Sequence, residues 1–151
     1  MTESFVIQSD IAELPNVEER VFHFCRECNI GNYYSTISVA ALQAVENAIV
    51  HGNLCNIEKK VTVSLGTCKG GIFVEVTDEG SGFDISCYGY LPSGNESTGE
   101  GIFVMHSLAD RMNFSDGGRK VRMEFFVSGI DPADAMERIA ILNSHYVLVN
   151  V

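Results

Sequence analysis

The sequence predicts an α+β domain, and three observations carry that prediction. Two segments with helical periodicity, about residues 16–29 and 35–52, come first. A hairpin of alternating strands follows over 61–77, and a further helical segment leads into a second hairpin over 114–127. Strands interrupted by helical segments, most of them joined by tight turns, fit antiparallel pairing better than a run of parallel crossovers.

Taken in order, Ser4 to Gln8 reads as a short first strand. Asn16 is followed three residues later by Glu19, a capping-box pattern in which Asn16 accepts from early helical N–H groups. That helix is expected to reach about Asn29 and stop at Gly31, with Val17, Val21 and Phe24 along one face. The second helix begins near Ser35 or Thr36 and runs to about Gly52. On an ideal wheel Val39, Leu42, Val45, Ile49 and Val50 share one broad apolar arc. Gln43, Asn47 and His51 stack at four-residue spacing on another side, which Ala40 and Ala44 keep small enough for something bulky to approach.

Val61 to Thr67 and Ile72 to Thr77 alternate around the turn Lys69-Gly70-Gly71, and Asp78 ends the second strand. Residues 84–98, with Gly89, Pro92 and Gly94, read as a long loop of the kind that serves as a lid. Gly101 to Met112 reads as a helix; Phe114, the Asp116-Gly117-Gly118 turn and Val121 to Val127 read as the closing hairpin. Asp131-Pro132 starts a last helix that ends near Asn143, and His145 to Val151 is an apolar tail with strand character. With no repeat or linker in view, residues 1–151 are expected to form one domain.

Composition narrows the function. A formal net charge of −10 disfavours direct nucleic-acid or anionic-membrane binding. An anionic ligand would then depend on backbone donors, a helix terminus and a bound cation. Met1-Thr2-Glu3-Ser4 lacks the basic start of a signal peptide, and no apolar run approaches the length of a bilayer span. Five cysteines at irregular spacing suggest reduced thiols and a cytoplasmic protein. Cys25 and Cys28 form a Cys-x-x-Cys pair, but within a helix and without a second pair at zinc spacing, so packing is the expected role.

Three segments carry chemistry. Asp78, after a strand and before Gly80 and Gly82, can accept from an exocyclic amine such as adenine's, while the glycines let the backbone pass close to a flat base. By itself the segment reads equally well as a capped turn. Gly99-Glu100-Gly101 precedes an apolar helix, where free N–H groups form an anion site; an ordinary loop-to-helix junction looks the same. Val104 stands where a dinucleotide fingerprint needs its third glycine, and the Gly-x-x-x-x-Gly-Lys phosphate loop is absent. Asn47 offers a neutral oxygen suited to Mg²⁺ beside phosphates, or to a neighbouring backbone group.

Together, Gln43-Ala-Val-Glu-Asn47-Ala-Ile-Val-His-Gly52, Asp78-Glu-Gly-Ser-Gly-Phe-Asp84 and Gly99-Glu-Gly-Ile-Phe-Val-Met105 resemble the N, G1 and G2 boxes of the GHKL ATPase superfamily. Within it the likeness is strongest to the bacterial anti-sigma factor serine/threonine kinases, over about residues 4–127, and Leu108-Ala-Asp-Arg-Met112 looks like the end of the family's next helix. The resemblance implies a Bergerat fold: a two-layer α/β sandwich with helices on one face of a mixed, mostly antiparallel sheet. It implies ATP and Mg²⁺ as ligands, with Asn47 holding the metal, Asp78 the adenine, Gly80 and Gly82 beside the base, and Gly99 and Gly101 beside the phosphates. His51 falls where relatives place a residue near the nucleotide.

Two positions depart from the family pattern. The general base, normally a Glu four residues before the metal Asn, is Gln43 here. An amide orients water but takes no proton near neutral pH; some histidine kinases nevertheless carry an amide there. Glu46 is a candidate substitute, although the wheel points it away from Asn47 toward the apolar arc. Arg119 stands where a Thr is usual in the third glycine box. Residues 128–151 lie beyond the common core and are open to covering the sheet edge, supporting a homodimer or engaging a partner.

By resemblance, the expected function is an anti-sigma-type kinase that binds a sigma factor and phosphorylates a serine on a STAS-type antagonist. The alternatives are a nucleotide-binding regulatory module without catalysis, which Gln43 favours, and the catalytic domain of a histidine kinase. No phosphoacceptor helix pair is visible to support the last.

Overall fold

Alternation along the strands sets one face of a sheet against the helices. The computed structural model describes residues 2–83 and 97–127, the stretch 97–100 by its backbone. The sheet has five strands: β1 (Thr2–Gln8), β2 (Lys60–Cys68), β3 (Gly71–Thr77), β4 (Arg111–Ser115) and β5 (Lys120–Phe126). Their order is β1-β2-β3-β5-β4, and every described pair is antiparallel, so the expected mixed character is absent from these strands. Asp84, most of the 84–98 loop, the helix expected from Asp131-Pro132 to Asn143 and the tail from His145 lie outside the described residues.

Residues at every second position point into the core: Val61, Val63 and Leu65 on β2, Ile72, Val74 and Val76 on β3, Val121, Met123 and Phe125 on β5. The opposite face is polar. There Arg122 donates to Glu75 at 2.8 Å across the β3–β5 pair, and its guanidinium lies 4.0 Å from the centre of the Phe73 ring. That ring covers Gly66, which has no side chain of its own to pack.

The helix α1 (Leu14–Glu27) starts earlier than the capping pattern predicts. Asp10 caps the preceding 3-10 turn by accepting from the Ala12 N–H at 2.9 Å, and Pro15 fits the first turn of α1. Asn16 is thereby a helical residue and not a cap. The end is also shifted: Asn29, at φ 57°, takes the left-handed position. Its N–H donates to Arg26 O at 3.1 Å and that of Ile30 to Cys25 O at 2.9 Å, which closes a Schellman motif. Gly31 opens the next turn instead of stopping the helix. Cys25 and Cys28 are buried free thiols, and burial, with Cys28 nearby, pushes the Cys25 thiol up to about 12, which removes it from thiolate chemistry.

The central helix α2 (Tyr34–Asn47) continues into a π-helical turn, Ala48–Gly52. Its buried face is Ile37, Ala40, Ala41, Ala44, Val45, Ala48 and Ile49. This corrects the wheel: Val39 is 46% exposed, and Leu42 and Val50 are only partly buried. The alanines face inward because methyl-sized groups let α2 approach its neighbours closely. Truncating Ile37 or Ile49 to Ala would cost about 2–5 kcal/mol of stability.

The third helix, α3, spans Ser97–Leu108, so the helix expected over 101–112 lies one turn earlier. Asp110 redirects the chain. Its N–H donates to Glu124 O at 2.9 Å, and its carboxylate accepts from the Phe126 N–H at 2.7 Å. Met112 then pairs with Met123 as part of β4. An available sheet edge outweighs the helical periodicity of this short apolar stretch. Among the described residues no helix is long and apolar enough to cross a membrane.

Candidate nucleotide-binding site

Antiparallel pairing of β3 with β5 delivers Asp78 to the sheet end beside the 116–119 turn. The Asp78 N–H donates to Arg119 O at 2.9 Å, and its Oδ1 accepts from the Gly80 N–H at 2.8 Å. The residue is 9% exposed. Burial raises its pKa above the ordinary carboxylate value; the Gly80 N–H and the Arg119 charge act against that rise.

The π turn brings Gly52 against this carboxylate. A methyl group on Gly52 would reach Asp78 atoms at 2.5 Å, and one on Gly80 would run into the Gly52 carbonyl. The widened helix and the glycine loop interlock through missing side chains, so Gly80 is needed for helix packing as much as for access to a base. Gly82, at φ +79°, takes a backbone shape that L side chains rarely adopt.

Asn53, 1% exposed, joins the same assembly. Its Oδ1 accepts from the Glu79 N–H at 2.8 Å, and its Nδ2 donates to Ser9 Oγ at 2.8 Å and to Lys60 O at 3.0 Å. Three segments distant in sequence are thus fixed by one amide. Sequence reasoning missed Asn53 and Ser9. A polar residue just past a helix-ending glycine carries no mark of its burial.

Next to Asp78 lies a mostly apolar cavity lined by Ala44, Ala48, Val76, Ile102, Met105, Phe114 and Val121. Phe83 and Phe114 meet edge to face, with ring centres 5.3 Å apart, at its margin. A buried carboxylate acceptor at one point of an apolar cavity suits a flat base bearing an exocyclic amine. This acceptor and its apolar lining therefore fit adenine.

A second, open cleft is lined by Gln43, Glu46, Asn47, Val50, His51, Gly101 and Val104. Asn47 and His51 line both spaces, so the cavity and cleft meet at these two side chains. Glu46 is exposed and shares the cleft with Gln43 and Asn47, which overturns its expected turn toward an apolar arc. The reason is the inward alanine face of α2, which turns the 43–46–50 side outward.

Gly101 belongs to the second turn of α3 and not to a loop before it. A methyl group there would lie 3.0–3.1 Å from the amide of Asn47 and from Gln43 Oε1. Its role in the structure is close approach between α2 and α3. Asn47 Nδ2 donates to Met105 Sδ at 3.7 Å across the same contact. Gly99 falls in the first turn of α3, where N–H groups lack partners within the helix and can meet an anion. Of the expected site residues, Asn47, His51, Asp78 and Gly82 line the cavity, Gly80 stands behind Asp78, and Gln43, Glu46 and Gly101 line the cleft. No group of three or more His, Cys, Asp or Glu able to hold a metal occurs among the described residues. A magnesium site would rest on Asn47, water and the phosphates themselves.

A five-stranded antiparallel sheet backed by helices, with a base-sized cavity opening past a helix Asn toward a helix N-terminus, defines an ATPase domain of the Bergerat type. The sequence comparison is more specific. The chain belongs to the histidine kinase-like ATPase domain family, whose model matches residues 10–125, and so to the GHKL superfamily. No curated protein matches it in sequence.

Proposed function

We propose that this protein is an ATP- and Mg²⁺-binding regulator of the anti-sigma type, which binds a sigma factor and transfers phosphate to a serine of a STAS-type antagonist. The observation that carries the nucleotide part is the buried Asp78 carboxylate in an apolar cavity that joins an open cleft at Asn47. The family match supports ATP as the ligand. The choice of sigma factor and STAS partner rests on the wording of Asn47-Ala-Ile-Val-His-Gly52 and the compact 84–98 lid in the sequence.

In this reading Asp78 accepts from the adenine amine, Asn47 holds Mg²⁺, and the first turn of α3 meets the phosphates. Phosphoryl transfer depends mainly on positioning and charge neutralisation. Gln43 can orient the attacking hydroxyl, and Glu46, in the same cleft, can accept its proton. The attacking oxygen bonds to the γ-phosphorus as the bond to ADP breaks. Gln43 in place of the usual Glu favours a second reading, a nucleotide-dependent binding module without transfer.

The deciding experiment incubates the full chain with magnesium, γ-labelled ATP and a STAS protein. Label on a STAS serine, lost in Asn47→Ala, supports the kinase. Tight ATP binding without label supports the binding module, and absence of ATP binding rejects both.

A further inference from the structure

We propose that Arg119 is a positioning residue for base recognition, holding the Asp78 loop in its receptive shape. The inference rests on the reading that a purine nucleotide occupies the Asp78 cavity. The family resemblance leads one to expect a Thr at this position, so Arg119 first reads as a flaw in the third glycine box.

The geometry gives it a task. Arg119 Nε donates to Gly80 O at 2.8 Å and Nη2 to Ser81 O at 3.2 Å, while Nη1 donates to Asp116 O at 2.9 Å. Three carbonyls from two loops are spanned by one planar guanidinium. The loops also meet backbone to backbone. The Phe83 N–H donates to Gly117 O at 2.9 Å, and neither Gly82 nor Gly118 has room for a Cβ beside the opposite strand of chain. At its glycines such a junction has no side chain to stiffen it. Glycines at φ +79°, +64° and +91° make it intrinsically pliable. A Thr hydroxyl or a Lys ammonium has neither the reach nor the fork to tie three carbonyls at once.

Charge is the second part. Among the described residues, the charged or titratable side chains around Asp78 are Arg119 and Asp116 on the turn, Lys59 ahead of β2 and His51 on the π turn. Burial favours the protonated carboxyl; Arg119 and Lys59 favour the carboxylate, and Asp116 opposes them. A protonated Asp78 would present an O–H to an amine that is itself a donor. Arg119 therefore extends base recognition toward lower pH. Shape and charge can be separated by substitution, because Lys keeps the charge and loses the fork, whereas Gln loses both.

The test is calorimetric titration of the full chain with Mg-ATP from mildly acid to neutral pH. Wild type is compared with Arg119→Gln and Arg119→Lys, and thermal melts report folding. Comparison between variants cancels the titration of the nucleotide itself. Arg119→Gln should weaken ATP binding about tenfold near neutral pH and move the acid loss of binding to higher pH. Arg119→Lys should keep the wild-type pH profile while binding several-fold more weakly than wild type. Wild-type affinity in Arg119→Lys, or a weakened Arg119→Gln whose pH profile does not move, would overturn the proposal. If Arg119→Gln fails to fold, Arg119→Lys decides by its affinity and profile. Should wild type itself not bind ATP, the nucleotide reading falls and this inference with it. If all three proteins bind alike, only the role of Arg119 is rejected.

Discussion

At the base end of the cavity Asp78, Gly80, Asn53 and Arg119 are tied to one another and to three chain segments by bonds of 2.8–3.2 Å. At the cleft end Glu46 and His51 are exposed, and the hydrogen bond of Asn47 is a 3.7 Å contact with a sulfur. One end is cross-linked by short hydrogen bonds, and the other presents exposed side chains along an open cleft. Preorganisation cuts the ordering cost of binding, which in the proposed reading assigns recognition to the base end. The looser end accepts a change such as Gln43 without loss of fold, because that side chain supports little of the core.

The sharpest break of this contrast is Asn53→Ala. It removes the Asn53 amide from the Glu79 N–H and Lys60 O, leaves Ser9 only its bond to Lys59 O, and should cost about 3 kcal/mol in denaturant unfolding. An unchanged midpoint would show that the base end is not held as described. Asp78→Asn comes next, with ATP affinity lowered at least tenfold, or about 1.4 kcal/mol.

The same substitution should leave the melting temperature level or higher. The folded-state pKa of Asp78 is raised above its unfolded value by burial. Its contribution to stability is therefore fullest below the unfolded value, near 3.9, and is lost as pH rises through the folded one. Where it is ionised, Asp78 opposes folding, while in the proposed reading the same charge serves binding. A clear drop in melting temperature for Asp78→Asn would contradict that sign. ATP binding has the reverse dependence, fading as pH falls through the raised value.

Smaller effects lie at the cleft end. Gln43→Glu should raise phosphate transfer less than tenfold with ATP affinity unchanged, since positioning dominates a loose transition state. A gain of a hundredfold or more would mean that the amide, and not the arrangement of the cleft, limits the wild type. Least disruptive is thiol labelling at neutral pH. Exposed Cys55 should react well before buried Cys25, whose thiol sits at about 12, and equal rates would refute the packing of α1.

Particular elements show how far the sequence alone could be read. The β2–β3 hairpin was legible because Val61, Val63 and Leu65 alternate strictly up to a Lys69-Gly70-Gly71 turn, and the glycine-flanked Asp78 stood out at its end. At Asn16 the capping pattern competes with Asp10 and Pro15 nearby, and local patterns do not rank themselves. Met112 was misread as helix because its partner strand lies beyond the next turn. On α2 the wheel favoured the larger apolar residues. Close packing instead selected the alanines, and with that choice it turned Glu46 into the cleft.

What the sequence by itself determined is the set of ligand-facing chemistries and their order: an amide on a helix, a carboxylate after a strand, glycines at both loops. These are properties of residue type and near-neighbour spacing, which a chain carries without folding. Only the tertiary structure decided which groups share a space, how Asn53 and Arg119 hold the loop of Asp78, and which face of α2 is buried. Those depend on contacts between residues from 26 to 44 positions apart. Such contacts form only when the sheet brings their backbones together.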